Sequence, residues 1–347
     1  MKILFTGGGT MGPVTPLLAV WEAWRASDVS VTAIWVGTSL GPERSVVEAQ
    51  GISFLTLPVA RFPRYLSVEW LTAPWMFLFA LWKATQILRS KKIGLVASAG
   101  GYTAVPVIYA AKLLGVSVWV HHQDVELTRT TKLTVPFADL VTVAWERNRN
   151  ELGDRVKVVG NPVRPSFLKG SRKRAYTSFS ISRNKPTVLV VGGGTGSAWI
   201  NETIDRVADS LIKQANVIHL TGRNKPVSSR HPDHHVREFL DEQMADALAV
   251  ADVVVCRAGL STMTELAALS KAAIMIPLPH SPQEANADMV EDACVVFDQR
   301  RTTPEQLLHG IVVLLENDDR RRELGAKMHS KLRTNIADEL VEMLKTI

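Results

Sequence analysis

The stretch KILFTGGGTMGPVTP, residues 2–16, runs from a short apolar segment into a glycine-rich loop and then into a helical pattern. A second stretch of the same build, TVLVVGGGTGSAWIN, spans residues 187–201. An apolar strand, a glycine loop and a helix form the opening unit of a doubly wound α/β domain. Because that unit occurs twice, the sequence predicts two such domains.

Strand-like and helix-like segments alternate around these stretches. In the first half, IGLVASAGG, AVPVIYAAKLLG and VSVWVHHQD predict a strand, a helix and a strand; in the second, ANVIHLTG, DVVVCRAG and KAAIMIPLP predict strands. We expect an α/β fold of two Rossmann-like domains, residues 1–164 and residues 165–329, which face each other across a cleft. Ligands of such sheets bind beyond the carboxyl ends of the strands.

A chain of 347 residues with 46% apolar residues has enough apolar material for two cores. Cys256 and Cys294 are too few for a disulfide framework and favour a reducing compartment. MKILFT leaves no room for the apolar part of a signal peptide, and Pro74 and Lys83 interrupt the longest apolar stretch, Trp70–Leu88, so we expect a cytosolic protein. The net charge of +6 suits nucleic acid, an anionic membrane or phosphorylated ligands, and does not choose among them.

The first glycine loop satisfies the dinucleotide fingerprint G-x-G-x-x-G through Gly7, Gly9 and Gly12. A dinucleotide site also requires an acidic residue at the end of the second strand, and the sequence there, AIWVGTSLG, has none. The second loop lacks the fingerprint, because Ser197 stands in place of the last glycine. A broader function fits both loops, because glycines let backbone N–H groups approach a phosphate at the start of a helix. The alternative is that the glycines only make tight turns.

Eight motifs follow one another in the order typical of MurG-type GT-B glycosyltransferases, which the sequence resembles over nearly its whole length. They are GGGTMGPVTP, SAGGYTAVP (98–106), HHQD (121–124), GNPVR (160–164), GGGTGSAWIN, HLTG (219–222), CRAGLSTMTELAA (256–268) and PLPHSPQEANA (277–287). The resemblance implies inverting transfer of N-acetylglucosamine from UDP-GlcNAc to the undecaprenyl-pyrophosphoryl-MurNAc-pentapeptide of peptidoglycan synthesis, and with it a role in cell-wall biogenesis, cell shape and cell division. It also implies a last helix, near residues 330–347, that packs back on the first domain.

The donor site implied by the resemblance lies in the second domain. Its residues are Gly193, Gly194, Thr195 and Gly196 at the diphosphate, Leu260, Ser261 and Thr262 at a helix start, Glu265 at the ribose, Arg164 beside the phosphates, Leu240 at the uracil, and Gln283 and Asn286 at the sugar. The alternatives are a T-x-x-E capping box for Thr262 and Glu265, a surface position for Arg164 and a core position for Leu240. The stretch before Gln283 is shorter than in the family, so selectivity for the sugar is less defined than uridine binding.

The acceptor side implied by the resemblance lies in the first domain. Its pyrophosphate would meet Gly8, Gly9, Thr10, Gly100, Gly101 and Tyr102. The family's first loop usually reads G-G-T-G-G-H; here Met11 replaces a glycine, and Pro13, which the first position of a helix tolerates, replaces the histidine that is a candidate base. The family's HEQN is HHQD here, so our hypothesis is that Asp124 or His122 carries the proton. Alternatively, both only position the acceptor, and catalysis depends on stabilising the leaving UDP.

Residues 60–92 combine aromatic and basic side chains. They are Trp70, Trp75, Met76, Phe77, Phe79 and Trp82 among Arg61, Arg64, Lys83, Arg89, Lys91 and Lys92. This composition suits a helix on an anionic bilayer, and the alternative is a core helix. We expect peripheral attachment to the cytoplasmic face of the cell membrane, no cofactor and no nucleic-acid partner; no D-x-D stands at a strand end to indicate a metal. The rival functions are a related transferase with another lipid acceptor, a UDP-sugar epimerase, and a UDP-sugar-binding relative without catalysis.

Overall fold

The computed structural model describes residues 1–39, 41–59, 69–228, 231–241 and 243–347, and for residues 69–72 the backbone alone. The described residues divide into two compact units. Unit 1 comprises Met1–Pro162 and Ile336–Ile347, and unit 2 comprises Val163–Asn335. Each unit has its own parallel sheet and its own hydrophobic core.

Unit 1 is built on a seven-stranded parallel sheet in the order β3-β2-β1-β4-β5-β6-β7. The strands are β1 (Lys2–Thr6), β2 (Thr32–Gly37), β3 (Ser53–Thr56), β4 (Leu95–Ser98), β5 (Ser117–His122), β6 (Leu140–Val143) and β7 (Val156–Val158). The helices between them are α1 (Thr15–Ser27), α2 (Glu43–Ala49), α3 (Glu69–Lys91), α4 (Ala104–Leu113), α5 (Arg129–Thr134) and α6 (Glu146–Leu152), with a short 3₁₀ helix at Val135–Phe137. β4 is buried along its whole length, as expected of a central strand covered by helices on both faces.

Unit 2 repeats this architecture with a six-stranded parallel sheet in the order β10-β9-β8-β11-β12-β13. The strands are β8 (Thr187–Val191), β9 (Asn216–Leu220), β10 (His234–Arg237), β11 (Val253–Cys256), β12 (Ala273–Met275) and β13 (Val295–Val296). The helices are α7 (Arg172–Ser178), α8 (Ala198–Leu211), α9 (Met244–Val250), α10 (Leu260–Ala268), α11 (Gln283–Asp288), α12 (Pro304–Glu316) and α13 (Asp318–Lys331), and a 3₁₀ helix spans Pro165–Lys169. The prediction of an α/β chain with two Rossmann-like domains is confirmed.

The strand order reverses at corresponding places in the two sheets. In unit 1 the reversal falls between β1 and β4, and in unit 2 between β8 and β11. A glycine-rich segment follows each of these strands, except that β11 is followed by Arg257 and a single glycine, Gly259. Ligands of doubly wound sheets bind at such reversals, outside the carboxyl ends of the strands. The two quoted glycine loops therefore stand at the ligand-binding edges of their own sheets.

Helix α1 begins at Thr15, with Val14 as its N-cap and Pro16 in the first turn. The N–H groups of Val14 and Thr15 both donate to the carbonyl of Met11, at 3.0 and 3.1 Å. Residues 11–14 thus form a turn before the helix. Pro13 lies in that turn.

The last helix, α14 (Ala337–Leu344), belongs to unit 1, although the chain reaches it from unit 2. It packs on α1. Leu340, Val341 and Leu344 lie on its buried face, a spacing that gives an amphipathic helix one apolar stripe.

Helix α3 has two different faces. Ala73, Ala80, Ala84 and Leu88 are buried, and the helix packs on α4. Trp75, Leu78, Phe79 and Trp82 follow the i, i+3, i+4, i+7 spacing of one helix face and are 72%, 53%, 51% and 58% exposed. We call these four residues the exposed apolar face of α3. Arg61 and Arg64, predicted at its edge, lie outside the described residues, as does the side chain of Trp70. In the described part of the chain, no helix has the length and hydropathy needed to cross a membrane.

Candidate active site

The first glycine loop of unit 1 packs directly on the loop that follows β4. Gly100 and Gly101 adopt φ angles of 105° and 87°, which favour glycine. A Cβ added to Gly101 would lie 2.9 Å from the amide nitrogen of Gly8, and one added to Gly7 would lie 3.0 Å from the carbonyl oxygen of Gly100. Four residues predicted at the acceptor pyrophosphate, Gly8, Gly9, Gly100 and Gly101, therefore belong to two neighbouring loops.

Gln123 joins these two loops and was missed by the sequence analysis. Its Nε2 donates to the carbonyl of Gly12 at 3.0 Å and to that of Ala99 at 3.3 Å. The side chain is 7% exposed, and its Oε1 is buried without a hydrogen-bond partner among the described residues. The signal in the sequence was its place in HHQD, directly after β5, but the sequence does not show which backbone groups it reaches.

The two predicted catalytic residues differ in their surroundings. His122 is 3% exposed and its Nδ1 lies 2.8 Å from the hydroxyl of Thr131. Burial lowers the pKa of His122 to about 4, so the imidazole is neutral at pH 7 and a weak base. Asp124 is half-buried at the end of the same segment, and the side chain of Asn148 holds its backbone carbonyl at 3.3 Å. Of the two residues, Asp124 is the less enclosed.

The remaining predicted acceptor residues are less enclosed. Thr10 is exposed and Tyr102 is half-buried. The N–H of Gly9 already has a partner inside the protein, because it donates to the carboxylate of Glu43 at 3.2 Å. That amide is therefore not a vacant phosphate contact.

The glycine loop of unit 2 is a tight turn whose carbonyls are held by a lysine. Gly193 and Gly196 have φ angles of 88° and 72°, and the N–H of Gly196 donates to the carbonyl of Gly193 at 2.9 Å. Lys225 donates through Nζ to the carbonyls of Thr195 and Gly196 at 2.8 and 3.0 Å. The predicted residues Gly193, Gly194, Thr195 and Gly196 thus share one loop, with a cation bound to it.

Arg257 connects this loop to the loops that follow β11 and β12, and it too was missed. Its guanidinium donates to Ser197 Oγ at 2.6 Å and to the carbonyls of Ile276 and Pro277 at 2.9 and 3.2 Å. The side chain is 8% exposed, and burial lowers its pKa to about 10, which leaves it charged at pH 7. Ser197 also caps α8 by accepting from the N–H of Ile200. The guanidinium fixes three strand ends of unit 2 together.

Glu265 lies inside α10, and its carboxyl is buried. Burial raises its pKa to about 8, and the charge of Arg164 opposes that shift. The helix begins at Leu260 with Gly259 as its N-cap and no side-chain cap, so Thr262 is already helical and the capping-box alternative is wrong. The predicted residues Ser261 and Thr262 are half-buried in the first turn.

Arg164 is 8% exposed, so the alternative of a surface arginine is wrong. Its guanidinium carbon lies 5.3 Å from the centre of the Phe167 ring. The positive charge of Arg164 acts on the carboxyl of Glu265, where it opposes the rise in pKa that burial causes. A buried cation and a buried carboxyl in one unit are costly unless they serve a ligand or each other.

The other predicted donor residues are mostly engaged within unit 2. Gln283 Oε1 accepts from the N–H of Leu278 at 3.0 Å, and Asn286 Nδ2 donates to the carbonyl of Ala258 at 3.2 Å. These bonds tie α11 to the loops that follow β12 and β11. Leu240 and Leu260 are 7% and 3% exposed, so both are largely enclosed.

Two doubly wound units, each with a glycine loop at the reversal of its sheet, define the GT-B class of glycosyltransferase folds. Solved structures of that build cover the whole chain. Acinetobacter baumannii MurG aligns with a TM-score of 0.71 and 24% identity over 100% of this chain and 99% of its own. An S. aureus MnaA-UDP co-structure aligns with a TM-score of 0.69 and 13% identity over 100% and 97%. At these identities the likeness concerns the fold alone.

The chain belongs to glycosyltransferase family 28. The family's N-terminal domain matches residues 3–143 and its C-terminal domain matches residues 187–340. A relative from Clostridium perfringens (strain 13 / Type A), named UDP-N-acetylglucosamine--N-acetylmuramyl-(pentapeptide) pyrophosphoryl-undecaprenol N-acetylglucosamine transferase, is 30% identical over 99% of this chain and 98% of its own length. A relative of the same name from Clostridium kluyveri is 30% identical over 88% and 89%.

Proposed function

We propose that the chain is an inverting glycosyltransferase that moves N-acetylglucosamine from UDP-GlcNAc to the lipid-linked MurNAc-pentapeptide intermediate of peptidoglycan synthesis. The observation that carries the proposal is the buried carboxyl of Glu265, beside the charge of Arg164 and within the helix that starts at the sheet reversal of unit 2. A carboxyl accepts from two neighbouring ribose hydroxyls, and a helix start with a guanidinium suits a diphosphate. The near-full-length relationship to the C. perfringens transferase supports this donor and this acceptor.

In the proposed reaction the acceptor hydroxyl attacks the anomeric carbon of GlcNAc from the face opposite to UDP. The new C–O bond forms as the bond to the UDP oxygen breaks, and UDP leaves with the electron pair. Arg164 and the first turn of α10, with Ser261 and Thr262, stabilise the charge that develops on the diphosphate. The hydroxyl proton passes to a base in unit 1, and the half-buried Asp124 suits that role better than the enclosed His122.

The direct test is transfer of radiolabelled GlcNAc from UDP-GlcNAc to a lipid-linked MurNAc-pentapeptide acceptor. We expect labelled lipid with the wild-type chain and a large loss in Glu265→Ala, seen chiefly as a raised KM for UDP-GlcNAc. UDP-GlcNAc binding without labelled lipid would refute the transferase proposal and favour a binding protein. Conversion of UDP-GlcNAc to an epimeric UDP-sugar, without labelled lipid, would favour the epimerase.

The identity of the base is tested separately. Asp124→Asn keeps the size of the side chain and removes its basicity, so we expect kcat to fall by about 10²–10⁴-fold. His122→Ala removes the second candidate, and Asp154→Asn, an exposed aspartate of unit 1 whose side chain is 95% exposed, is the matched control. Wild-type kcat in both Asp124→Asn and His122→Ala would refute a base role for either residue.

We propose further that the exposed apolar face of α3 lies on the anionic cytoplasmic surface of the cell membrane. Four large apolar side chains face outward there, and Lys83, Arg89, Lys91 and Lys92 follow on the same helix and its end. Flotation with anionic vesicles tests this: the Trp75→Ser/Trp82→Ser variant should stay in the soluble fraction. Val29→Ser, at a residue 82% exposed elsewhere in unit 1, should float like wild type. Equal flotation of all three would contradict the proposal.

A second candidate is transfer to a different lipid acceptor. It is favoured by the changed first loop, where Met11 and Pro13 stand in place of a glycine and a histidine. An acceptor panel of polyprenyl-pyrophosphoryl sugars, with and without a peptide, decides between the two. The higher kcat/KM identifies the acceptor.

A further inference from the structure

Glu43, the first residue of α2, is a fully buried carboxylate that the proposed reaction does not use. It is 0% exposed. One oxygen accepts from the N–H of Thr38 at 2.8 Å and from the Thr38 hydroxyl at 2.5 Å, and the other accepts from the N–H of Gly9 at 3.2 Å. The carboxylate therefore joins the end of β2 to the middle of the first glycine loop.

Three glycines lie around this carboxylate, at positions where a larger residue would meet neighbouring side chains. At Gly8 and Gly41 an added Cβ would overlap the carboxyl group of Glu43, and at Gly37 it would lie 3.2 Å from Glu43 Oε1, behind a closer contact with Phe54. None of the three has a φ angle in the left-handed region. Their lack of a side chain is therefore explained by space for neighbouring side chains, and at Gly8 and Gly41 by the carboxylate itself.

The carboxylate accepts from the kind of backbone group that binds anions in other glycine loops. Successive backbone N–H groups in such a loop make an anion-binding concavity. Here an anion from the protein accepts from one of those N–H groups, that of Gly9. An internal anion at this point fixes the shape of the loop before any ligand arrives, and it repels a second anion from the same amide.

We propose that Glu43 is a positioning residue for the acceptor: its carboxylate holds the first glycine loop in the shape that the acceptor meets. The acceptor part of this inference rests on the proposed function, whereas the loop-holding part does not. Loss of the carboxylate should loosen the loop and displace the acceptor pyrophosphate, without touching the donor site, whose predicted residues all lie in unit 2.

The first test uses Glu43→Gln, which keeps the shape of the side chain but replaces one oxygen by an NH₂ group that cannot accept. Either Gly9 or Thr38 then loses its partner. A hydrogen bond to a charged group protects an amide strongly, so hydrogen exchange of residues 7–12 should accelerate by about 10- to 100-fold. The matched control is Glu48→Gln, on the same helix, where the exposed glutamate pairs with Arg44. Exchange in this control should match wild type.

The second test separates the substrates kinetically. In Glu43→Gln, kcat/KM for the lipid-linked acceptor should fall by about 10²-fold, the cost of a misplaced binding loop, while KM for UDP-GlcNAc stays at its wild-type value. Gly41→Ala reaches the same end by another route, because its Cβ displaces the carboxylate and leaves the charge in place. UDP binding by calorimetry checks that unit 2 remains folded in every variant.

The outcomes are distinct. Accelerated exchange and reduced acceptor kcat/KM in both Glu43→Gln and Gly41→Ala would support the proposal. Wild-type exchange in Glu43→Gln would overturn the loop-holding role, and accelerated exchange with an unchanged acceptor KM and kcat would overturn the acceptor role. If the wild-type chain transferred no GlcNAc, the proposed function would fail, and the exchange experiment alone would still decide whether Glu43 holds the loop.

Discussion

Replacing Glu265 by Gln should stabilise unit 2 at alkaline pH while it weakens donor binding. Burial raises the pKa of Glu265 from 4.5 to about 8, so the folded protein keeps a proton that the unfolded chain releases near pH 4.5. A group whose pKa is raised on folding contributes its stabilisation fully below the unfolded pKa. That stabilisation is lost as the pH rises towards the folded pKa. Unit 2 should therefore lose stability between pH 4.5 and about 8.

The size of the effect follows from the shift. One pKa unit corresponds to about 1.4 kcal/mol, so the rise from 4.5 to about 8 sets an upper bound of about 5 kcal/mol on the stability lost across this window. Glutamine has nearly the shape of the protonated carboxyl and does not ionise. At about pH 5 the free energy of unfolding of Glu265→Gln should be close to that of wild type. At about pH 9 the variant should be more stable than wild type by up to this upper bound.

Native-state hydrogen exchange of the β8 and β11 amides measures the opening of unit 2 separately from unit 1. The difference between variant and wild type at each pH cancels the other titrating groups. A difference that stayed the same from about pH 5 to about pH 9 would refute the reasoning, because it would mean that folding does not shift this pKa. Above about pH 8, where the carboxyl of Glu265 is ionised, the Kd for UDP should rise by about 10- to 100-fold in the same variant, because the glutamine amide has one acceptor oxygen where the carboxylate has two.

Arg257→Lys should raise the Kd for UDP by about 10-fold or more, because a lysine cannot hold Ser197 Oγ and two carbonyls at once. Calorimetry measures this Kd, and Arg301→Lys, at an exposed arginine, is the control. Burial and the neighbouring His234 lower the pKa of His219 to about 3, so unit 2 should lose stability as the pH falls below 6.5, and His219→Gln should flatten that loss in urea unfolding. A steeper acid dependence in the variant would contradict this. Gln123→Ala should accelerate hydrogen exchange in residues 7–12 and 99–102, because both loops lose its side-chain amide; unchanged exchange would show that the loops hold each other without it.

The sequence was sufficient to predict the strands and the glycine loops. A short apolar run indicates a buried strand, and the glycines that follow it mark where that strand ends. It was not sufficient for the start of a helix. The T-x-x-E pattern at Thr262 allowed a capping box as the alternative to a ribose contact at Glu265, yet the structure begins α10 at Leu260, after Gly259. A capping pattern and a helical interior share the same residue types, and only the backbone conformation at Gly259 decides between them.

The side chains that hold the loops were also beyond the sequence. Gln123 acts on a carbonyl 111 positions away and Arg257 on a hydroxyl 60 positions away. Such partners can be recognised as neighbours only once the strand order is known. Parallel strands bring their carboxyl ends to one edge of the sheet, whatever their separation in the chain. A motif search identifies Gln123 and Arg257 as members of their motifs but does not show which groups they bind.

The two glycine loops look alike in the sequence and are opposite in their electrostatics. In unit 1 the loop's N–H at Gly9 is occupied by the carboxylate of Glu43, which places a negative charge at the amide. In unit 2 the loop's carbonyls at Thr195 and Gly196 bind the ammonium of Lys225, and the guanidinium of Arg257 stands behind Ser197. A diphosphate is therefore favoured at the second loop and disfavoured at the Gly9 amide of the first. This asymmetry supports the donor in unit 2 independently of any motif, and it means that an acceptor pyrophosphate at unit 1 must be bound by groups other than that amide.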